Sequence, residues 1–116
     1  MSGQYTEGVA GEQAALDYLR QKGMVLLKRR FRAADGEIDL ILRDGETIVF
    51  VEVKARPTGR RGDGLYAVTP AKRRRMVHAA KVYLVSRDAL DAPVRFDIVE
   101  ITCEGLLHVP NAFWAD

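Results

Sequence analysis

Two acids and a lysine stand at a spacing that suits phosphodiester chemistry. Asp39 lies in Glu37-Ile38-Asp39-Leu40-Ile41, and Glu52 and Lys54 lie in Val49-Phe50-Val51-Glu52-Val53-Lys54. In a strand, Glu52 and Lys54 project to the same face, because side chains alternate. Oxygen-only ligands suit Mg²⁺ or Mn²⁺, with water and phosphate completing the shell. Such an ion polarises a phosphodiester and generates hydroxide from bound water, while a neighbouring ammonium orients that water or stabilises charge on the phosphate. The same residues also admit a plain structural reading, a cross-strand salt bridge of Glu37 or Glu52 with Lys54 at a sheet end.

Those side chains must be positioned by a hairpin. Glu37–Arg43 and Thr47–Lys54 read as strands, and Asp44-Gly45 between them is a favoured tight-turn pair. With Asp44 and Gly45 as the turn, Arg43 pairs with Glu46, Asp39 with Phe50 and Glu37 with Glu52. Facing residues share a side, so Glu37, Asp39, Glu52 and Lys54 point one way, with Asp39 and Glu52 diagonal neighbours roughly 7–8 Å apart at the backbone. A one-residue slip would scatter the cluster. Ile41, Ile48 and Phe50 share that face, while Ile38, Leu40, Leu42, Val49, Val51 and Val53 make the other apolar. Both faces are therefore covered, and acids at the end of such a sheet repel one another unless a cation or base compensates. Glu12 lies on the inner stripe of the first helix with Ala15, Leu16 and Leu19, where it either reaches the same ion or favours the helix dipole. Asp39, Glu52, Glu12 and Glu37 are thus the candidate metal ligands.

The remaining elements follow from periodicity and punctuation. A helix is expected from about Glu7 to Lys22, with Val9 also on its stripe and Gly23 as its stop. Met24–Phe31 reads as a strand in a basic neighbourhood of Lys28, Arg29, Arg30 and Arg32. The segment from Pro57 to Gly64 reads as a mobile basic loop. Thr69-Pro70 opens a second helix to about Ser86, with Met76, Ala80, Tyr83 and Leu84 facing inward. Arg95–Ile101 and Leu106–Val109 are strands. The order of helix, strands, helix and strand predicts an α/β fold, a mixed sheet flanked by helices, and 116 residues form one domain.

Charge is unevenly spread. From Lys54 to Lys81 there are nine Lys or Arg and one acid, a net of +8, so a chain of net +2 leaves −6 elsewhere. Lys72, Arg73, Arg74 and Arg75 open a helix whose dipole they oppose, which helix stability does not explain and a phosphate backbone does. Lys72 and Arg75, three apart, are expected to share a face; Arg73 and Arg74 are either further contacts or solubilising. Arg30, Arg32, Arg56, Arg60 and Arg61 join Lys72 and Arg75 as expected nucleic-acid contacts. A solvated charged face is the competing reading. One cysteine, Cys103, rules out an internal disulfide and fits a reducing, cytoplasmic setting, with an inert or buried thiol expected. No apolar run approaches the roughly 18 residues of a membrane span, and Met1–Tyr5 lacks signal-peptide character. His78 and His108 read as packing or surface residues, and Phe113 and Trp114 as a core cap or a contact surface.

Gly8-x-x-Gly11-Glu12, Gly36-Glu37-Ile38-Asp39-Leu40-Ile41 and Val49-Phe50-Val51-Glu52-Val53-Lys54-x-Arg56 together resemble the YraN family of bacterial proteins. The likeness continues through Val68 and Lys72 to Arg95-Phe96-Asp97-Ile98-Val99, nearly the whole chain. More widely, the pattern is similar to the PD-(D/E)XK nucleases, which include restriction endonucleases and Holliday junction resolvases. That resemblance implies a restriction-endonuclease-like core and a Mg²⁺- or Mn²⁺-dependent endonuclease, with DNA ahead of RNA and branched DNA among its substrates. It implies catalytic roles for Asp39, Glu52 and Lys54, with Glu12 completing the site, and it brings a homodimer into consideration. Arg30 stands where the family commonly has Asn, which would alter substrate contacts without touching the metal site. A non-catalytic nucleic-acid-binding module with the same fold, or a scaffold held by salt bridges, are the alternatives.

Overall fold

The computed structural model describes residues 3–56 and 58–115, with side chains at 10–56, 58–64 and 67–115. The elements run α1 (Gly3–Gln21), β1 (Val25–Ala33), β2 (Gly36–Asp44), β3 (Thr47–Arg56), the single turn α2 (Asp63–Tyr66), α3 (Pro70–Ser86), β4 (Val94–Thr102) and β5 (Gly105–Phe113). The five strands lie side by side in sequence order. Only β3 and β4 are parallel, because α3 carries the chain back across the sheet between them; the other neighbours are antiparallel. This is the mixed sheet flanked by helices that the order of elements predicted. No helix among the described residues is long and apolar enough to cross a membrane.

Alternation along the strands builds two apolar layers. Leu40, Leu42, Val49, Val51 and Val99 pack with Ala15, Leu16 and Leu19 of α1. Ile41, Ile48, Phe50, Phe96 and Ile98 pack with Met76, Ala79, Ala80, Tyr83 and Leu84 of α3. Burial of each large apolar side chain contributes about 1.5–3 kcal/mol, and Phe50 anchors the second layer, stacked on Phe96 at 5.4 Å with Tyr83 edge-on at 6.1 Å. Val9, expected on the α1 stripe, lies outside the described side chains. At the start of α3, Pro70 stands in the first turn and the Thr69 hydroxyl accepts the Lys72 N–H at 3.2 Å.

Three sequence expectations need correction. First, Asp44 pairs with Thr47 and the turn is Gly45-Glu46, so Arg43 faces Ile48 rather than Glu46. Gly45 takes φ +62° at the first central position, where a two-residue hairpin favours glycine. The offset is even, so every β3 side chain keeps its expected face. Second, Ile38 packs on the α3 side with Ile41 and Phe50 rather than with Leu40 and Leu42. Alternation breaks at Asp39, and across from it on β1 Arg30 adopts φ +51°. Third, the basic segment after β3 is tied down. Pro57 lies outside the described residues, but the Gly62 and Gly64 N–H groups each donate to the buried Glu100 carboxylate at 2.6 Å. Arg61 N–H donates to Glu104 at 2.7 Å.

β2 begins against the backbone of α3. A Cβ on Gly36 would fall against the Arg75 carbonyl group. Gly36→Ala is expected to cost about 1–3 kcal/mol, read as a lower urea midpoint at unchanged slope. An unaltered midpoint would mean that α3 can ride away from β2 freely.

Candidate active site

Asp39 and Glu52 meet where the β2–β3 ladder stops. Its last pair is Leu40–Val51. One step beyond, the Val53 N–H is satisfied by Asp39 Oδ2 at 2.7 Å instead of a backbone carbonyl. The corrected register thus brings Asp39 across from Glu52 rather than diagonal to it. Glu52 is only 4% exposed. Its Oε1 accepts Lys54 Nζ from the same strand at 3.3 Å, and the Lys72 ammonium from the first turn of α3. Both acids line a cleft of about 240 Å³ with Gly36, Glu37, Lys72 and Arg75.

The electrostatics follow from burial and crowding. Burial pushes the Asp39 carboxyl up, and the Glu52 charge pushes it further, while the Val53 N–H pulls it down; the outcome is about 7. Lys54 is lowered by burial and by its hydrogen bond with Lys72. Burial also works against the Lys72 ammonium, but hydrogen bonds to Glu52 and Lys54 outweigh it and raise its pKa. The cleft therefore holds one carboxyl that keeps its proton near neutrality, one carboxylate between two ammonium groups, and an amine that gives up its proton more readily than a solvated lysine.

Among the described residues, no three His, Cys, Asp or Glu side chains are grouped to hold a metal ion by themselves. Asp39 and Glu52 nevertheless fit Mg²⁺ or Mn²⁺, which need one or two carboxylates with water and phosphate supplying the rest. Burial first and repulsion by Glu52 second oppose the Asp39 charge, and a divalent cation relieves both. Glu12 and Glu37, expected as further ligands, each stand beside an arginine of β1, and Glu37 also lines the cleft. Glu12 Oε1 accepts Arg30 Nε at 3.0 Å, and Glu37 is 3.6 Å from Arg32. Glu12 still stands near enough to raise the Asp39 pKa.

The expected nucleic-acid contacts divide. Arg56, Arg60 and Arg61 are exposed at and beyond the end of β3, and Arg75 is exposed at the cleft. Lys72 and Arg75 share a face, as their spacing required, but Lys72 points into the acids rather than to solvent. Arg30 and Arg32 bridge to acids at the β1 edge.

Two residues went unnoticed in the sequence. Glu100 is 0% exposed and holds the basic loop by its backbone; the available signal was an acid within the apolar β4 run. Asp97, also 0% exposed, bonds Arg95, His108 and the Asn111 N–H. His108 is a packed residue, as expected, whereas Cys103 is exposed rather than buried.

Comparison with known proteins adds relatives but no activity. Residues 11–101 match the model of the uncharacterised protein family UPF0102. A UPF0102 protein of Geobacter metallireducens is 46% identical over 110 residues, covering 91% of this chain and 90% of its own. One from Janthinobacterium sp. is 41% identical, covering 93% and 87%. One from Persephonella marina is 38% identical, covering 97% of both chains. Among solved structures, Pyrococcus furiosus SfsA in complex with Ca²⁺ aligns at a TM-score of 0.41 and 16% identity, over 92% of this chain and 63% of SfsA. A likeness that weak carries no argument about the site.

Proposed function

This chain belongs to the uncharacterised protein family UPF0102, and from that premise we propose that it is a divalent-metal-dependent endonuclease that hydrolyses phosphodiester bonds in DNA. The observation that carries the proposal is the pair of half-buried Asp39 and buried Glu52 with Lys54 beside it, at the mouth of a basic surface. Paired acids at a sheet end are costly as architecture and useful as a cation seat.

Asp39 and Glu52 would hold Mg²⁺ or Mn²⁺, which when bound supplies Lewis-acid polarisation of the phosphodiester and a more acidic water. Lys54, with its lowered pKa, holds the attacking water or stabilises phosphate charge at the same cleft. Lys72 neutralises Glu52 and, with Arg75, faces the strand that enters. Arg60 and Arg61 supply sequence-independent phosphate contacts from a loop whose backbone Glu100 and Glu104 hold. Branched or structured DNA is the substrate class that this reading favours.

One observation favours a non-catalytic binding module instead: Glu52 already carries two ammonium groups. Cleavage of labelled single-stranded, duplex, flap and four-way-junction DNA with Mg²⁺ or Mn²⁺ separates the two. The nuclease reading expects metal-dependent cutting that falls about 10²–10⁴-fold in Lys54→Ala. Cutting that survives in this variant would sink the site. Salt-sensitive binding with no cutting would favour the module.

A further inference from the structure

The start of α3 serves two clefts. Lys72 and Arg75 face the acids, while Arg73, Arg74 and Val77 line a second groove of about 530 Å³ that Phe113 and Trp114 close at the end of β5. Phe113 is buried and stacks on Phe96 at 4.9 Å, which fixes the backbone from which Trp114 emerges. Trp114 itself is 72% exposed. Arg73 is held in place: its Nε donates to the Val68 carbonyl at 3.0 Å, and its guanidinium lies 5.3 Å over the Phe113 ring. Arg74 is exposed beside it.

An uncovered indole next to two guanidinium groups is complementary to a ligand that is both flat and anionic. We propose that this groove binds an unpaired nucleotide of a DNA strand, its base stacked on Trp114 and its phosphate held by Arg73 and Arg74. The inference deepens the nuclease reading and rests on it for the identity of the polyanion. Because Arg73 and Arg74 share a helical turn with Lys72 and Arg75, the groove and the acid cleft flank the same end of α3, and one bound strand can reach both. The substrate class then becomes DNA with unpaired bases beside the cut. Inside a duplex each nucleobase is stacked on its neighbours above and below, so an intact duplex offers Trp114 no free face to stack on.

Trp114 is the single tryptophan of the chain, so fluorescence excited selectively in tryptophan reports this groove alone. The full chain, without divalent metal, is titrated with oligothymidylate, a long intact duplex, and the same duplex carrying a short gap. Quenching is expected with the single strand and the gapped duplex and not with the intact one. Trp114→Ala is expected to weaken single-strand binding at least about five-fold, the low end for one lost stack, and Trp114→Phe to restore part of it. Arg74→Ala is expected to weaken binding and lower the salt slope by about one. Urea midpoints close to that of the wild type would show the variants folded.

Unchanged affinity in Trp114→Ala, or equal quenching by the intact duplex, overturns the proposal. So does fluorescence that follows protein concentration together with a sedimenting dimer, which would make the groove a contact between copies. Quenching without any Mg²⁺- or Mn²⁺-dependent cleavage keeps the groove and removes the nuclease. Cleavage without quenching does the reverse.

Discussion

Asp39→Asn is expected to abolish cleavage and, at the same time, to make the protein harder to unfold. The amide oxygen can still accept the Val53 N–H that Asp39 Oδ2 now takes at 2.7 Å, and the side-chain volume is nearly the same. What disappears is a negative charge that burial and Glu52 both oppose. Cleavage should fall by about 10³-fold or more, since a metal ligand and its charge are lost together. Stability at neutral pH should rise by about 1 kcal/mol, the usual size of relief at a site strained for function. Urea denaturation with and without Mn²⁺ completes the test. Wild type should gain stability with metal, by about 2.7 kcal/mol at a hundred-fold excess over Kd, and the variant should lose most of that gain. If Asp39→Asn unfolds more easily and metal affects both proteins alike, the acid is a structural hydrogen-bond acceptor and the metal site is wrong.

The second large effect lies on the opposite side of the sheet, remote from chemistry. Asp97→Ala is expected to cost about 3–5 kcal/mol, the range for breaking a buried charge network by removing one partner. Asp97 bonds Arg95 Nε at 3.1 Å, His108 Nε2 at 2.8 Å and the Asn111 N–H at 2.9 Å. Arg95 continues to Asp44 at 3.0 Å, beside the β2–β3 turn. One carboxylate thus ties that turn to β4 and to the irregular end of β5, where Asn111 sits at φ +52°. Burial pushes Asp97 up, but His108, Asn111 and Arg95 outweigh it and hold the carboxyl below its ordinary value. The folded-state pKa lies below the unfolded one, so the stabilisation is complete above the unfolded value of about 3.9 and is lost as pH falls through the folded value. Urea midpoints of wild type and Asp97→Asn should therefore differ most at pH 7 and converge below about pH 4. A gap that stays constant with pH would assign the loss to packing alone.

The chain announces most of its fold because its signals are local. Alternation across β2 and β3, the Thr69-Pro70 start of α3 and the Gly23 stop are set by residues within a few positions of one another. The core lists follow for the same reason: Ala15, Leu16 and Leu19 fall on one side of a helix, and Met76, Ala80, Tyr83 and Leu84 on one side of another. That Asp39, Glu52 and Lys54 would lie together was legible too, since all three sit on one short hairpin. Their shared face survived a wrong turn because an even offset preserves side-chain parity.

What the sequence by itself determined, then, is which layer most core residues face, Ile38 excepted, and that two acids and a lysine converge at the end of a covered sheet. Only the tertiary structure decided how they are partnered. It turned Lys72 into Glu52, gave Glu12 and Glu37 to arginines of β1, and pinned the basic loop with Glu100. It also separated Phe113, which is core, from Trp114, which is surface. The Glu12–Arg30, Glu52–Lys72 and Glu100–Gly62 contacts join residues 18, 20 and 38 positions apart in the chain. A buried charge takes whichever counter-charge or N–H the packed elements bring within about 3 Å, and spacing along one strand cannot name a partner that arrives from another.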